Sequence, residues 1–250
     1  MQKIPVGVQL YSVREDCARD LPATLQAIAK MGYAGVEFAG YYHYDAASLR
    51  RLLDDSGLQC CGAHIGVDQL QGAAFEPTVA FHQTLGNRYL IVPSISQEMR
   101  SSEAAWRDTA AVFSQVAEKL APYGMLTGYH NHNVEFSPLN GETGLDIFCQ
   151  HTHPAVILQF DLGNAMHAEA DPLAYLRRYP SRLGTIHLKE HSASNPQALL
   201  GEGDVPWQQV FDLCEGSGST QWYIVEQESY PVSPLESIAR CRQALAKMGR

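Results

Sequence analysis

Short apolar runs and amphipathic stretches alternate along the whole chain. Ile4–Tyr11 reads as a short, mostly buried strand. Leu21, Leu25, Ile28 and Met31 then recur at helical spacing within Asp20–Met31, and Gly32 stops that helix. The same alternation predicts strands at Tyr33–Phe38, Gln59–Ile65, Arg88–Pro93, Met125–His132, Val156–Leu162, Leu183–Lys189 and Trp222–Gln227. Helices are expected at Asp45–Ser56, where Asp45 is the N-cap and Gly57 the stop, and at Phe75–Leu85 and Ser102–Tyr123. Four more fill the gaps at Gly144–Gln150, Pro172–Tyr179, Pro206–Cys214 and Leu235–Met248. Eight strand–helix pairs with no linker or charge run between them predict one (β/α)8 barrel domain over residues 1–250. A doubly wound open sheet would want a Gly-rich phosphate turn after an early strand, and no G-x-G-x-x-G occurs.

Composition narrows the function. The 18 Lys and Arg against 27 Asp and Glu leave a formal charge of −9, which opposes nucleic acid and anionic lipid as partners. No apolar run approaches the ~20 residues of a membrane helix, and the opening MQKIPVGVQLYSVRED lacks the apolar segment of a signal peptide. Six scattered cysteines without C-x-x-C suit a reduced, cytoplasmic protein.

In a barrel the strand ends carry the chemistry, and polar residues gather there. They are Gln9 and Tyr11, Glu37, His64, His130 with Asn131 and His132, Asp161 with Asn164, His187 with Lys189, and Glu226 with Glu228. Period-two alternation puts His130 and His132 on one face, and likewise His187 with Lys189 and Glu226 with Glu228. Imidazoles and carboxylates converging on one mouth repel without a cation, and such a donor set suits Mn, Mg, Co or Zn. Each residue also has a plainer role. Asp161 can cap the following helix, Lys189 can serve as counter-charge, and a buried Glu226 needs a cationic partner in any case. His82, His151 and His153 are expected on the surface. Tyr41-Tyr42-His43-Tyr44 either walls a sugar site or is a packing loop. Gly201-Glu202-Gly203-Asp204 is either a lid or a turn feeding the next helix.

Together these segments resemble the sugar phosphate isomerase/epimerase group with its xylose isomerase-like TIM barrel. GVQLYSVRED and MGYAGVEFAG resemble its first two strand units, and YHNHNVEF, FDLGNA, IHLKE and IVEQE its last four. The resemblance implies a divalent metal on His130, Asp161, His187 and Glu226. It further implies catalytic roles for Glu226, His132, His64 and Lys189, with Tyr11, Glu37, His43, Asn164 and Glu228 as substrate contacts. The implied reaction is proton abstraction next to the carbonyl of a keto-sugar or polyol ketone, through a metal-stabilised enediolate. Two-base epimerases of the group carry Glu where this chain has His130, and many relatives carry His where it has Asn164. The Tyr-His-x-His pattern is closer to inosose dehydratases, so isomerisation, epimerisation and dehydration or lyase chemistry all stay open, with Glu135 a further candidate to reach the site. Other expectations are a non-catalytic sugar-binding barrel, a phosphodiesterase needing more ligands and a basic groove, and a Ser or Cys hydrolase for which no G-x-S-x-G exists. Arg14 and Lys189 are the only cations placed to hold a phosphate, which favours a neutral substrate. Exposed barrel faces leave a homo-oligomer open.

Overall fold

The computed structural model describes residues 3–250. Eight parallel strands close on themselves in the order β1-β10-β9-β8-β5-β4-β3-β2. They are β1 (Val6–Gln9), β2 (Gly35–Phe38), β3 (Gln59–His64), β4 (Tyr89–Val92), β5 (Leu126–His130), β8 (Ile157–Asp161), β9 (Thr185–Leu188) and β10 (Trp222–Val225). Helices α1 (Arg14–Lys30), α2 (Ala46–Ser56), α3 (Phe75–Leu85), α4 (Glu103–Leu120), α5 (Gly144–His151), α6 (Leu162–His167), α7 (Pro172–Arg178), α8 (Trp207–Ser217) and α9 (Pro234–Lys247) cover the outside. The α/β barrel expected from the alternation is therefore present.

Boundaries differ where caps decide them. Helix α1 starts earlier than the hydrophobic spacing suggests, but it is broken at Asp20 (φ −158°, ψ 88°). There the Asp20 carboxylate accepts from Ala23 N at 2.9 Å, so Asp20 caps the segment that carries the apolar stripe. Ser102 caps α4 by accepting from Ala105 N, and Asp45 caps α2 by accepting from Ser48 N. A small hairpin, β6 (Pro138–Leu139) and β7 (Glu142–Thr143), was missed, although its Asn140-Gly141 turn with both φ positive is the common two-residue hairpin signal.

Two apolar layers hold the fold. The larger lies between strands and helices, from Val8 and Leu25 through Phe113 and Phe160 to Ile238. The smaller fills the barrel interior with Cys61, Tyr89, Ile91, Ile157, Trp222 and Ile224. Gly35 makes room for the plug, since a Cβ there would lie 3.1 Å from the Trp222 ring and 2.7 Å from Gln59 O. The interior is thus plugged by apolar groups toward the strand beginnings, and polar groups fill it above them.

His82 corrects the expectation of a surface residue. It is 1% exposed, and Asn87 explains why it tolerates burial. Asn87 Oδ1 accepts from Tyr89 N, which fixes the amide so that Nδ2 donates to His82 Nδ1 at 3.0 Å. His82 Nε2 must then carry the proton and faces Tyr41 Oη at 3.2 Å. His151 and His153 are exposed, as expected.

Candidate functional site

Strand register assembles the site. Asp161 on β8 lies beside His187 on β9, and His130 on β5 lies beside Gln159 on β8. Ile224 pairs with His187, so Glu226 emerges just beyond the end of β10. One irregularity matters. The β2–β3 register shifts between Val36 and Glu37, so Val36 pairs with Cys60 but Glu37 with Gly62. That bulge puts Gly62 against the Glu37 side chain and carries His64, two residues on, to the interior face.

His130, Asp161, His187 and Glu226 each offer a donor atom, and these four atoms lie within 4.8 Å of one another. All four residues are buried. His187 Nδ1 is 3.2 Å from Glu226 Oε2 and 3.8 Å from Asp161 Oδ2. His130 Nδ1 and Asp161 Oδ2 are buried without any hydrogen-bond partner. An orphaned buried carboxylate oxygen and imidazole nitrogen, aimed into one cluster, are costly unless a cation joins them. Two imidazoles and two carboxylates are a donor set for a divalent transition metal or Mg²⁺, and the cluster fits one. Titration shifts record the same crowding. Burial and then the Glu226 charge push the Asp161 carboxyl up to about 7, although Lys189 pulls the other way. Burial alone would lower His187, but Glu37 and Glu226 raise it to about 10. Burial, with His187 and His64 nearby, drives His130 well below the ordinary histidine value.

Beneath the cluster lies a polar layer centred on Glu37. Its Oε2 accepts from His187 Nε2 at 2.7 Å and from Gln9 Nε2 at 2.8 Å, and its Oε1 accepts from Gln159 Nε2 at 2.7 Å. Gln159 Oε1 in turn accepts from His64 Nε2 at 2.7 Å, which fixes the His64 proton on Nε2. The Glu37–His187 bond likewise leaves Nδ1 of a neutral His187 as a lone pair facing Asp161 and Glu226, the arrangement that orients metal-bound histidines. Glu37, expected among the substrate contacts, is 0% exposed and is closed off under this layer. Gln159 escaped the sequence reading, although it stands two residues before Asp161 on the same strand face.

Above the cluster is a cavity of 360 Å³ lined by Tyr11, Ala39, His64, Pro93, His130, His132, Glu226 and Glu228. The structure thus brings Tyr11, His64, His132 and Glu228 to the mouth, as expected from their positions. His43 is exposed with φ of 66° and does not line this cavity. Its neighbour Tyr41 packs on Phe81, with ring centroids 4.5 Å apart, so that segment is a packing loop. Glu135 does not join the cluster. Its Oε1 accepts from Tyr129 Oη at 2.8 Å and its Oε2 from His132 N at 2.6 Å, so it fixes the backbone of His132 from behind. Lys189 Nζ donates to Asn164 Oδ1 at 3.1 Å, pairs with Glu228, and lies 3.8 Å from Glu226. Asn164 also donates to Asn131 O, and its backbone N–H is capped by Asp161 Oδ1 at 2.6 Å. Asp161 therefore uses one oxygen as a helix cap and presents the other to the cluster. Arg14 donates to Tyr11 O and faces Tyr230 Oη, outside the cavity lining.

Glu190 also escaped the sequence reading. Its Oε1 accepts from His191 N at 3.0 Å and Val205 N at 3.2 Å, and its Oε2 from Gly201 N at 2.7 Å and Trp207 Nε1 at 2.8 Å. Both ends of the loop after β9 hang on this one carboxylate. The Gly201–Asp204 stretch is accordingly a tied turn feeding α8.

A sequence model described as xylose isomerase-like TIM barrel matches residues 25–248. The inosose dehydratase of Erwinia tasmaniensis is 24% identical over 257 residues, covering 86% of this chain and 86% of its own. The rhizopine catabolism protein MocC of Rhizobium meliloti is 25% identical over 266 residues, covering 91% of this chain and 81% of its own. A sugar phosphate isomerase/epimerase from Parabacteroides distasonis superposes with a TM-score of 0.85 at 23% identity, covering 98% of each chain.

Proposed function

The chain belongs to the xylose isomerase-like TIM barrel family, and from that membership we propose that it enolises a keto-sugar or polyol ketone at the His130–Asp161–His187–Glu226 cluster. The observation that carries this reading is the pair of orphaned atoms, His130 Nδ1 and Asp161 Oδ2, within a four-donor cluster beneath a cavity of 360 Å³. Those four residues would hold Mn²⁺, Mg²⁺, Co²⁺ or Zn²⁺. When bound, such a cation supplies Lewis-acid stabilisation of the charge that develops on a carbonyl oxygen.

The chain's own groups divide the remaining work. Glu226 is engaged by His187 and Lys189, which leaves His132 as the base facing the cavity. Desolvation lowers the His132 imidazole despite the nearby Glu135 and Glu226, so it is neutral and able to accept a proton at neutral pH. Glu135 holds its backbone, and Glu37 holds His187. His64 and Tyr11 face the same space, placed to orient hydroxyls.

His130 stands where two-base epimerases carry a second glutamate, and the other glutamate at the cavity, Glu228, is paired with Lys189. This favours β-elimination over two-base epimerisation. The proton taken from the carbon next to the carbonyl and the hydroxide expelled from the next carbon leave together as water, and an enone remains. The inosose dehydratase name of a similar protein supports the same outcome. Lys189 donates to Asn164 and Glu228 with the Glu226 carboxylate 3.8 Å away, so its charge is already balanced, which supports an uncharged substrate over a phosphate ester. Free, buried cysteines support a reducing, cytoplasmic setting.

The test is metal content by elemental analysis, followed by incubation with inososes and other keto-sugars in deuterated water. About one metal per chain, lost in an Asp161→Ala, Glu226→Ala double variant, with metal-dependent enone formation is the expected result. Deuterium uptake without elimination would turn the reading to epimerase or isomerase. Absence of metal in folded protein would overturn it in favour of a sugar-binding barrel.

A further inference from the structure

A second cavity, of 340 Å³, adjoins the first and shares Glu228 as a common wall, with Lys189 beside it. Asn164, His167, His191, Ser192, Asn195 and Ser229 line it. We infer that this cavity seats a second hydroxylated ring of the substrate, so that the natural ligand is a two-part carbohydrate with its keto-bearing unit over the His/Asp/Glu cluster. The inference rests on the enolising reading of that cluster for the placement of the keto unit.

Four observations carry it. Each cavity by itself reaches the lower end of the roughly 300–1,000 Å³ range of small-molecule sites, so a single ring over the cluster leaves the second space unfilled. Its lining interleaves hydroxyl, amide and imidazole groups with the apolar surface of Pro196 and Ala198, the mixture that suits the hydroxyls and C–H faces of a sugar ring. His167 and His191 face one another at 6.4 Å between ring centroids, and neither ring is hydrogen-bonded among the described residues, so both are available to a ligand. Finally, the wall is preorganised. Glu190 accepts four hydrogen bonds from the surrounding loop and its anchor Trp207, and Asp204 Oδ2 accepts from Ala193 N at 2.9 Å. A loop tied at these points loses little freedom when a ligand docks.

Charge selects the class of ring. Glu190 is satisfied by its four donors, and the Lys189 ammonium is spent on Asn164 and the two glutamates. Glu190 and Glu228 leave the lining acidic, which repels a phosphate or a carboxylate, so the second ring is an uncharged sugar.

The experiment measures binding to Mn²⁺-loaded and metal-free protein by ligand-observed NMR and calorimetry. The probes are the ketose-bearing disaccharides lactulose, maltulose and isomaltulose, with fructose, glucose and galactose as single rings. At least one disaccharide is expected to bind tenfold or more tightly than its component ring. That ratio is expected to fall to about one in Asn195→Trp and in Ser192→Trp, two substitutions on the loop wall whose folding is checked by circular dichroism. Disaccharides no tighter than single rings, or a ratio unchanged in both variants, would overturn the inference. Metal content and solvent exchange are read on the same preparations. Metal-dependent exchange with a ratio of one sinks the second cavity alone. A disaccharide preference in protein that binds no metal keeps the cavity and sinks the enolising reading.

Discussion

Replacing Glu37 by glutamine keeps the shape of the side chain and removes one acceptor and one charge. In the native layer Glu37 accepts from Gln9, His187 and Gln159 at 2.7–2.8 Å, with His64 Nε2 a further 3.3 Å contact. The least disruptive amide orientation keeps an oxygen toward His187 and Gln9 and turns the new NH₂ on Gln159 Nε2. Gln159 must then flip, which sets its NH₂ against the His64 Nε2 proton. One buried donor ends unsatisfied, at about 1–3 kcal/mol. Loss of the charge opposite His187 brings the total near 3–5 kcal/mol, the usual cost of halving a buried pair. Since Glu37 holds the proton on His187 Nε2, Mn²⁺ affinity is expected to fall about 10–100-fold, as for other residues that orient metal-bound histidines. Urea unfolding of metal-free protein and calorimetric Mn²⁺ titration measure the two effects. Metal affinity within about twofold of wild type and stability within about 0.5 kcal/mol, with a rise in KM alone, would refute the reasoning and return Glu37 to the substrate contacts.

Three further outcomes are expected. Asp161→Asn preserves the helix cap to Asn164 N and removes a carboxyl that burial and Glu226 push up to about 7, so the metal-free variant should be more stable than wild type above pH 7, with the gain shrinking as pH falls toward about 4. Mn²⁺ should then raise the thermal midpoint of wild type and not of the variant; a loss of stability in the metal-free variant would contradict the account. His82 is held by burial at about 4, below its ordinary 6.5, so its contribution is complete above about 6.5 and is lost as pH falls toward 4. At pH 5 that loss is about 2 kcal/mol, and His82→Gln should remove this part of the acid sensitivity in paired urea titrations. Gly62→Ala places a methyl 2.3 Å from Glu37 Oε1, so overpacking of about 1–3 kcal/mol should accompany a drop in metal affinity. Because both changes act on one side chain, the Gly62→Ala, Glu37→Gln double variant should lose less than the sum of the singles.

The sequence by itself determined the alternation of elements and, with it, the barrel. Asp45, Gly57 and Ser102 were readable as helix ends because capping is local chemistry within a few residues. It also determined which residues stand at the strand ends, because a strand alternates faces with period two. His130, Asp161, His187 and Glu226 stand among them, the family resemblance singled out these four as a metal set, and the structure brings their donor atoms together. The Asn140-Gly141 hairpin and Gln159 were legible too, by turn chemistry and by the same alternation. Only the tertiary structure decided which polar residue serves which. Glu37 lies 150 residues from His187 in the chain, and its role depends on a bulge between β2 and β3 that no local pattern marks. Glu135 points behind His132 because Tyr129, on the preceding strand, offers it a buried hydroxyl. His82 is buried because Asn87 fixes its tautomer against Tyr41, and Glu190 gathers donors from both ends of a loop. In each case the deciding partner is a hydrogen-bonding group whose direction is set by ring closure and packing, while sequence spacing encodes only the face on which a side chain begins.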